Sequence, residues 1–398
     1  MAAAAVCISL CSAALAGATA PTLDGQLERA LAAPALLSGS SAGVVLDLES
    51  GATLFARDAE TSLEPASNEK LPVTYAALAE LGPAYRFRTE VLGEGHRLAS
   101  VWYGNVVLKG YGDPSLTLHR LDLLAGELRR GGIRRVTGHV VGDDTWFDAK
   151  RGVAGWRRSF FGNESPPLSA LVVDRAQRND HPVASAALAA AAQFAHALWA
   201  HGIQTRGAVA RAAHPHAATL ATMRSRQLWR LLQFMDRDSD NFTAEMVLKE
   251  LGAEKLGAGT SAAGATVVAR DLAAAGIPLA GVRIVDGSGL SRDDRLTAHA
   301  LASLLALMWK EPAVREVVWR SLATPGLGTL KHRLLLGPAR MLVRAKTGTT
   351  DVASALSGYV GTRFAFVVLQ NGHPVDWAAA HLAQDGFVRA LAARTAGR

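Results

Sequence analysis

With 398 residues, 49% of them hydrophobic, the chain can build two or three domains around a substantial core, which excludes a disordered or fibrous protein. Its 42 Lys and Arg against 35 Asp and Glu leave a formal charge of +7, but the basic residues are scattered apart from pairs such as Arg129-Arg130 and Arg134-Arg135. No nucleic-acid stripe or recognition motif stands out, and a mildly basic protein facing an anionic surface is the better reading.

Residues 1–20 are apolar and end Ala18-Thr19-Ala20 before Pro21, the pattern of a signal peptide, although a basic start is missing. Both cysteines, Cys7 and Cys11, fall inside this segment, so the mature chain is expected to have no disulfide framework and no cysteine metal site. No later apolar run reaches the roughly 20 residues that span a bilayer. The expected product is secreted and works outside the cytoplasmic membrane, in the periplasm or cell wall.

After a helix near Leu23 to Leu31, the segment Ala42 to Leu48 reads as a buried strand and Ala52 to Ala56 as its return, joined by Glu49-Ser50-Gly51. Upstream, Gly39-Ser40-Ser41-Ala42-Gly43 matches the G-x-S-x-G nucleophile elbow but leads into a strand instead of turning into a helix, so it carries no weight. A helix opening at Ser67 is predicted to run to Leu81, where Gly82-Pro83 stops it, with a distorted second turn at Pro72.

From Phe87 to Val183 the chain changes to short strands and glycine turns. Val106 to Leu108 and Val136 to Val141 read as strands, Leu121 to Arg130 as a helix, and 87–183 as an inserted accessory domain. The main domain is then 21–86 and 184–398. Helices are predicted at 184–200, 222–235, 243–251, 267–275 and 298–309, with a strand over 282–285. An antiparallel meander follows over 340–345, 353–360 and 364–369, with a terminal helix at 377–396 covering one face. The acidic pairs Asp143-Asp144 and Asp293-Asp294 read as exposed turns, and His214-Pro215-His216 lacks a clustered third ligand, so a solvated loop is expected rather than a metal.

Chemistry concentrates in three motifs. Ser67 and Lys70 are three apart, so on a helix the amine returns to the face of the hydroxyl, a nucleophile with its base attached. Ser239-Asp240-Asn241 lies in a polar loop before a helix. Lys346-Thr347-Gly348-Thr349 sits at one rim of the meander. Ser67 could attack a carbonyl and Lys70 accept its proton, the amine being neutralised by burial and by the second cation, Lys346. The Ser239 hydroxyl could pass a proton to a leaving nitrogen, and Asn241 could hold the substrate amide. Lys346, Thr347 and Thr349 suit a free carboxylate, Gly348 allows close approach to an edge strand, and the backbone amides of Ser67 and Thr349 could hold an oxyanion. No cofactor or metal is called for.

Together with Gly110-Tyr111-Gly112-Asp113-Pro114-Ser115-Leu116, Asp286-Gly287-Ser288-Gly289-Leu290-Ser291-Arg292 and Gly328-Thr329-Leu330-Lys331, these motifs resemble the D-alanyl-D-alanine carboxypeptidases of the penicillin-binding protein 4 type, peptidase family S13. The resemblance covers nearly the whole mature chain. It implies an α+β penicillin-binding, serine β-lactamase-like fold, an antiparallel sheet flanked by helices with an accessory domain inserted after the nucleophile helix. It also implies hydrolysis of D-Ala-D-Ala termini or peptide cross-links in peptidoglycan through an acyl-enzyme on Ser67, and covalent inhibition by β-lactam antibiotics. Ser67 and Ser239 are 239 − 67 = 172 residues apart, which suggests a shortened insert. The rival readings are a serine β-lactamase and a non-catalytic scaffold that binds peptidoglycan.

Overall fold

The computed structural model describes residues 22–32, 39–178, 181–182 and 185–396; the expected signal segment, with Cys7 and Cys11, lies outside them. In chain order, helix α1 (Leu23–Leu31) precedes the hairpin β1 (Ser40–Asp47) and β2 (Thr53–Arg57), and a 3-10 turn at Ala66–Glu69 feeds α2 (Lys70–Glu80). Next come β3 (Arg88–Leu98), β4 (Val101–Gly110), α3 (Leu118–Arg130), β5 (Arg135–Val136), β6 (Val140–Asp143), the ribbon β7 (Gln177–Arg178) and β8 (His181–Pro182), and α4 (Ala186–Ala200). They are followed by β9 (Ala208–Ala210), β10 (Ala218–Arg224), α5 (Leu228–Arg237), α6 (Asn241–Leu256), α7 (Ser261–Ala274) and α8 (Ala298–Lys310). The chain ends with α9 (Pro312–Ser321), α10 (Ala339–Leu342), β11 (Val343–Thr349), β12 (Ala353–Val360), β13 (Phe364–Asn371) and α11 (Trp377–Ala396).

The main sheet has the order β11-β12-β13-β1-β2 and is antiparallel throughout. Because alternate side chains of a strand point to opposite faces, it buries two separate surfaces. Val44, Leu46, Tyr359, Val367 and Leu369 face a helical core built by α2 and α5 to α9. Val45, Phe55, Val360, Phe364 and Phe366 face α1 and α11, where Leu27, Leu31, Phe387 and Leu391 close the second layer. Each such aromatic or aliphatic side chain contributes about 1.5–3 kcal/mol of burial. This strand order leaves β11 at the edge of the sheet, where Ala323 bridges Ala345 on its outer side.

The second sheet follows the path β10-β3-β4-β6-β9 and packs on α3 and α4 through Leu121, Leu124, Phe194 and Leu198. This corrects the boundary expected at 183. The Ala-rich α4 buries its stripe on the insert's sheet, and β9 and β10 pair within it, so residues 185–224 belong to the accessory core. The helix expected over 222–235 divides likewise. Residues up to Arg224 extend along β3, the Ser225 amide turns back to Phe87 O, and the helix begins only at Leu228. Helix α6 joins the two halves: Phe242, Met246 and Ala253 pack against Phe147, Leu168 and Val172 of the insert. On the same helix Lys249 pairs with Asp148, and Glu250 accepts from the Trp146 indole at 2.9 Å.

Other expectations shift for local reasons. Pro72 causes no second-turn bend, because it is the third residue of α2, within the first turn, where helical amides lack internal partners. The irregularity lies one turn earlier, in the 3-10 segment. The strand expected at 282–285 reduces to a bridge between Arg283 and Arg295. Asp143 and Asp294 are buried, Asp143 accepting from the Thr145 amide and Asp294 from the Val285 amide.

Candidate active site

Ser67 is positioned by a turn that neighbouring elements hold in a costly shape. Ala66 takes φ 46°, a left-handed value that disfavours any residue but glycine. The turn is gripped from two sides. On one, Gly289 (φ 78°) lies so close that a Cβ there would meet Ala66 O at 1.8 Å. On the other, β11 presents Gly348, whose added Cβ would stand 3.0 Å from Pro65 O and Ser67 N. Asn68 completes the anchor through a hydrogen bond from Ser357 of β12. Ser67 itself stays half-buried, reachable from the cleft.

One turn on, Lys70 is fully buried, and its Nζ lies 3.0 Å from Ser67 Oγ, 2.8 Å from Asn241 Oδ1 and 2.7 Å from Ser288 O. Burial lowers its pKa to about 8, while the carboxylates of Asp286 and Glu245 pull the other way. The partner set suits a neutral amine: two N–H groups donate to Asn241 Oδ1 and Ser288 O, leaving the lone pair for the Ser67 hydroxyl. Asn241, first residue of α6, is oriented by its own donation from Nδ2 to Glu164 O at 3.1 Å.

Ser239 sits in the tight connection between α5 and α6, again with a left-handed φ of 60°. Asp240 caps α6 by accepting from the Thr243 amide at 2.8 Å and pairs with Arg175 at 2.8 Å. The buried Lys346 donates to Ser239 Oγ at 2.9 Å and to Thr347 O at 2.8 Å. Its pKa is held well below the ordinary lysine value, first by burial and then by the charge of Lys70. The Lys346 motif, expected at the rim of the meander, lies inside β11. By strand alternation Lys346 and Gly348 share the face turned to Ser67 and Ser239, whereas Thr347 and Thr349 share the other, with Thr349 exposed.

Beneath the two lysines lies a group of buried carboxyls that the sequence reading did not single out. Glu245 accepts the Gly287 and Ser288 amides at 2.9 and 2.8 Å, and burial raises its pKa to about 8. Asp236 accepts from Thr74 at 2.9 Å and is raised to about 7 by burial. Glu69 is raised well above the usual range by burial and by Asp286, and neither of its oxygens has a hydrogen-bond partner among the described residues. Asp286 organises the Asp286-to-Ser291 turn, accepting the Ser288, Gly289 and Ser291 amides at 3.0, 2.6 and 2.8 Å.

The insert reaches this place too. Trp156 Nε1 donates to Asp286 at 2.8 Å, the Ser291 hydroxyl donates to Ala154 O at 2.8 Å, and Arg157 and Arg292 both bind Asp351 at 2.7 and 2.6 Å. No local pattern marks Trp156 or Glu164, whose partners are 130 and 77 residues away in the chain. His214, by contrast, lies away from these motifs, its amide donating to Glu94.

A penicillin-binding protein 4 from Haemophilus influenzae superposes with a TM-score of 0.81 over 93% of this chain and 98% of its own, at 21% identity. A predatory peptidoglycan endopeptidase from Bdellovibrio bacteriovorus superposes with a TM-score of 0.57 over 83% of this chain and 85% of its own, at 16% identity. The fold is therefore the α+β fold of penicillin-binding proteins.

The model of the D-Ala-D-Ala carboxypeptidase 3 (S13) family matches residues 23–183 and 175–394, and the chain belongs to that family. The D-alanyl-D-alanine carboxypeptidase of Actinomadura sp. (strain R39) is 30% identical over 448 residues, which cover 90% of this chain and 82% of that protein. A carboxypeptidase DacB of Mycolicibacterium smegmatis is 32% identical over 379 residues, 87% of this chain and 79% of the relative.

Proposed function

We propose that the chain is a serine-type D-Ala-D-Ala carboxypeptidase, able also to cleave peptide cross-links, that acts on peptidoglycan outside the cytoplasmic membrane and is acylated by β-lactams. The observation that carries this reading is the arrangement of Ser67 Oγ at 3.0 Å from a buried amine whose other contacts, Asn241 Oδ1 and Ser288 O, are both acceptors. Family membership supports the substrate class.

In this reading the Ser67 oxygen attacks the carbonyl of the penultimate D-alanine while its proton passes to Lys70. The backbone amides of Ser67 and Thr349 receive the developing oxyanion. Collapse breaks the peptide bond as the proton held by Lys70 passes by way of Ser239, which Lys346 hydrogen-bonds, to the departing D-alanine nitrogen, leaving Lys70 neutral. Water then attacks the Ser67 ester, its proton going to Lys70 and on to the Ser67 oxygen as the ester bond breaks. Lys346, on the face turned to Ser67 and Ser239, holds the terminal carboxylate, Asn241 binds the substrate amide, and Gly348 leaves room along the strand edge. Proton transfer of this kind contributes about 10²–10⁴-fold.

The test is D-alanine release from a muropeptide ending in D-Ala-D-Ala. The wild-type chain is expected to release one equivalent per stem, and Ser67→Ala none above background. Equal release by both would contradict the reading.

A further inference from the structure

A groove of about 780 Å³ runs between the insert and α5, apart from the residues to which the reaction is assigned. Five arginines line it, Arg120, Arg175, Arg226, Arg230 and Arg237, against a single carboxylate, Asp174. Three of the five are already neutralised: Arg120 by Asp113 at 3.3 Å, Arg175 by Asp240 at 2.8 Å and Arg237 by Asp238 at 2.7 Å. Arg226 and Arg230 are exposed and have no ion-pair partner among the described residues; the Arg230 guanidinium lies over the Trp229 ring at 4.7 Å. Two positive forks therefore face the groove unpaired. Such forks match carboxylates bidentately.

Two further features mark the groove. Asp174 and Arg175, on its wall, both take left-handed φ values of 45° and 60°, a strained pair at consecutive non-glycine positions. The groove is also lined by Arg237 and Thr243, which stand two residues before Ser239 and two after Asn241. The groove therefore borders the α5–α6 turn that carries Ser239. Leu116, Leu231 and Phe234, the last 40% exposed, add apolar surface that suits the hydrocarbon of a peptide.

We propose that this groove is a binding subsite for the acidic portion of a peptidoglycan peptide, its carboxylates engaging Arg226 and Arg230. The peptide source rests on the carboxypeptidase reading above; the anion site rests on the groove itself.

The test uses binding, so a protein whose Ser67 did not react would still answer it. In full-length Ser67→Ala protein, the probe is a fluorescent peptide ending in D-Ala-D-Ala with two Glu residues upstream, compared with its Gln twin by anisotropy. The Glu peptide is expected to bind about tenfold more tightly at about 50 mM salt, with the gap narrowing as salt screens it. Adding Arg226→Gln and Arg230→Gln should abolish the preference, and the Lys versions of both should retain part of it. If the double variant fails to melt cooperatively, Arg226→Glu alone, at an exposed position, reads the same effect. Equal affinity for the two peptides, or a preference that survives loss of both arginines, would overturn the proposal. So would displacement of the Glu peptide by a glycerol phosphate oligomer at lower concentration than by unlabelled Glu peptide, since that outcome assigns the groove to a phosphodiester polymer.

Discussion

Lys70 Nζ and Ser67 Oγ stand 3.0 Å apart across the junction where a 3-10 turn, Ala66–Glu69, passes into α2. The amine is walled off from water while the hydroxyl remains reachable, so one member of the pair is desolvated and the other faces the cleft. That asymmetry lowers the pKa of Lys70 to about 8.

The rate of Ser67 acylation should therefore depend on the protonation of Lys70. Lysine is the base only when neutral, so the second-order rate constant for reaction with a penicillin is expected to rise with pH and level off above about 8. Stopped-flow measurements between about pH 6 and 9.5 check this. A flat profile, or one falling over this range, would remove Lys70 from the role of base.

Asn241 holds Lys70 at one end of its amide and Glu164 O of the insert at the other. Asn241→Ala should lower acylation by about 10²-fold, as expected for a group that orients a catalytic base. Its thermal midpoint should change little, since Asn241 is half-buried and α6 keeps its Asp240 cap. Circular dichroism and penicillin labelling together separate the two effects.

Gly289 fills the gap beside Ala66, and a methyl group there has no room. Gly289→Ala should destabilise the protein by about 1–3 kcal/mol, from the left-handed φ of 78° and the clash with Ala66 O. Loss of Ser67 labelling should appear before global unfolding. A variant with unchanged midpoint and labelling would show that the Ser67 turn is not held in this way.

Much of this arrangement was legible from residues that carry chemistry. The strands expected at 353–360 and 364–369 and the helix expected at 377–396 match β12, β13 and α11. Ser67, Lys70, Ser239, Asn241 and Lys346 stand in short motifs, and the structure brings them together. What escaped was long-range. Asp294 reads as a turn residue because its sequence neighbours are polar, yet it is buried under Val285 and Asp286. Residues 222–235 read as one helix because their apolar spacing runs through Ser225, whose amide instead donates a hydrogen bond to Phe87 O just past the end of the strand. The 185–224 segment joins the insert for a reason no local pattern records: the insert's sheet covers the alanine stripe of α4, and β10 pairs with β3 across more than 110 residues of chain.

The buried carboxyls make stability fall with rising pH. Glu245 has a folded pKa near 8 against an ordinary value of 4.5, so the folded state keeps its proton and this stabilisation is lost as pH climbs between those values. Glu245→Gln keeps an oxygen for the Gly287 and Ser288 amides and removes the titration. The variant is expected to exceed wild type by at least about 1 kcal/mol at pH 8 and to show a flatter profile between pH 5 and 8. Urea titrations at both pH values check this, and parallel profiles would rule it out.

A nucleophilic Ser67 must carry the acyl group of a bound penicillin, and intact-mass and peptide mass spectrometry after incubation with a fluorescent penicillin will locate it. One adduct per chain is expected, mapped to Ser67, absent in Ser67→Ala and slowed in Asn241→Ala. A folded wild-type protein with no adduct at Ser67, or with the label on another residue, would contradict it.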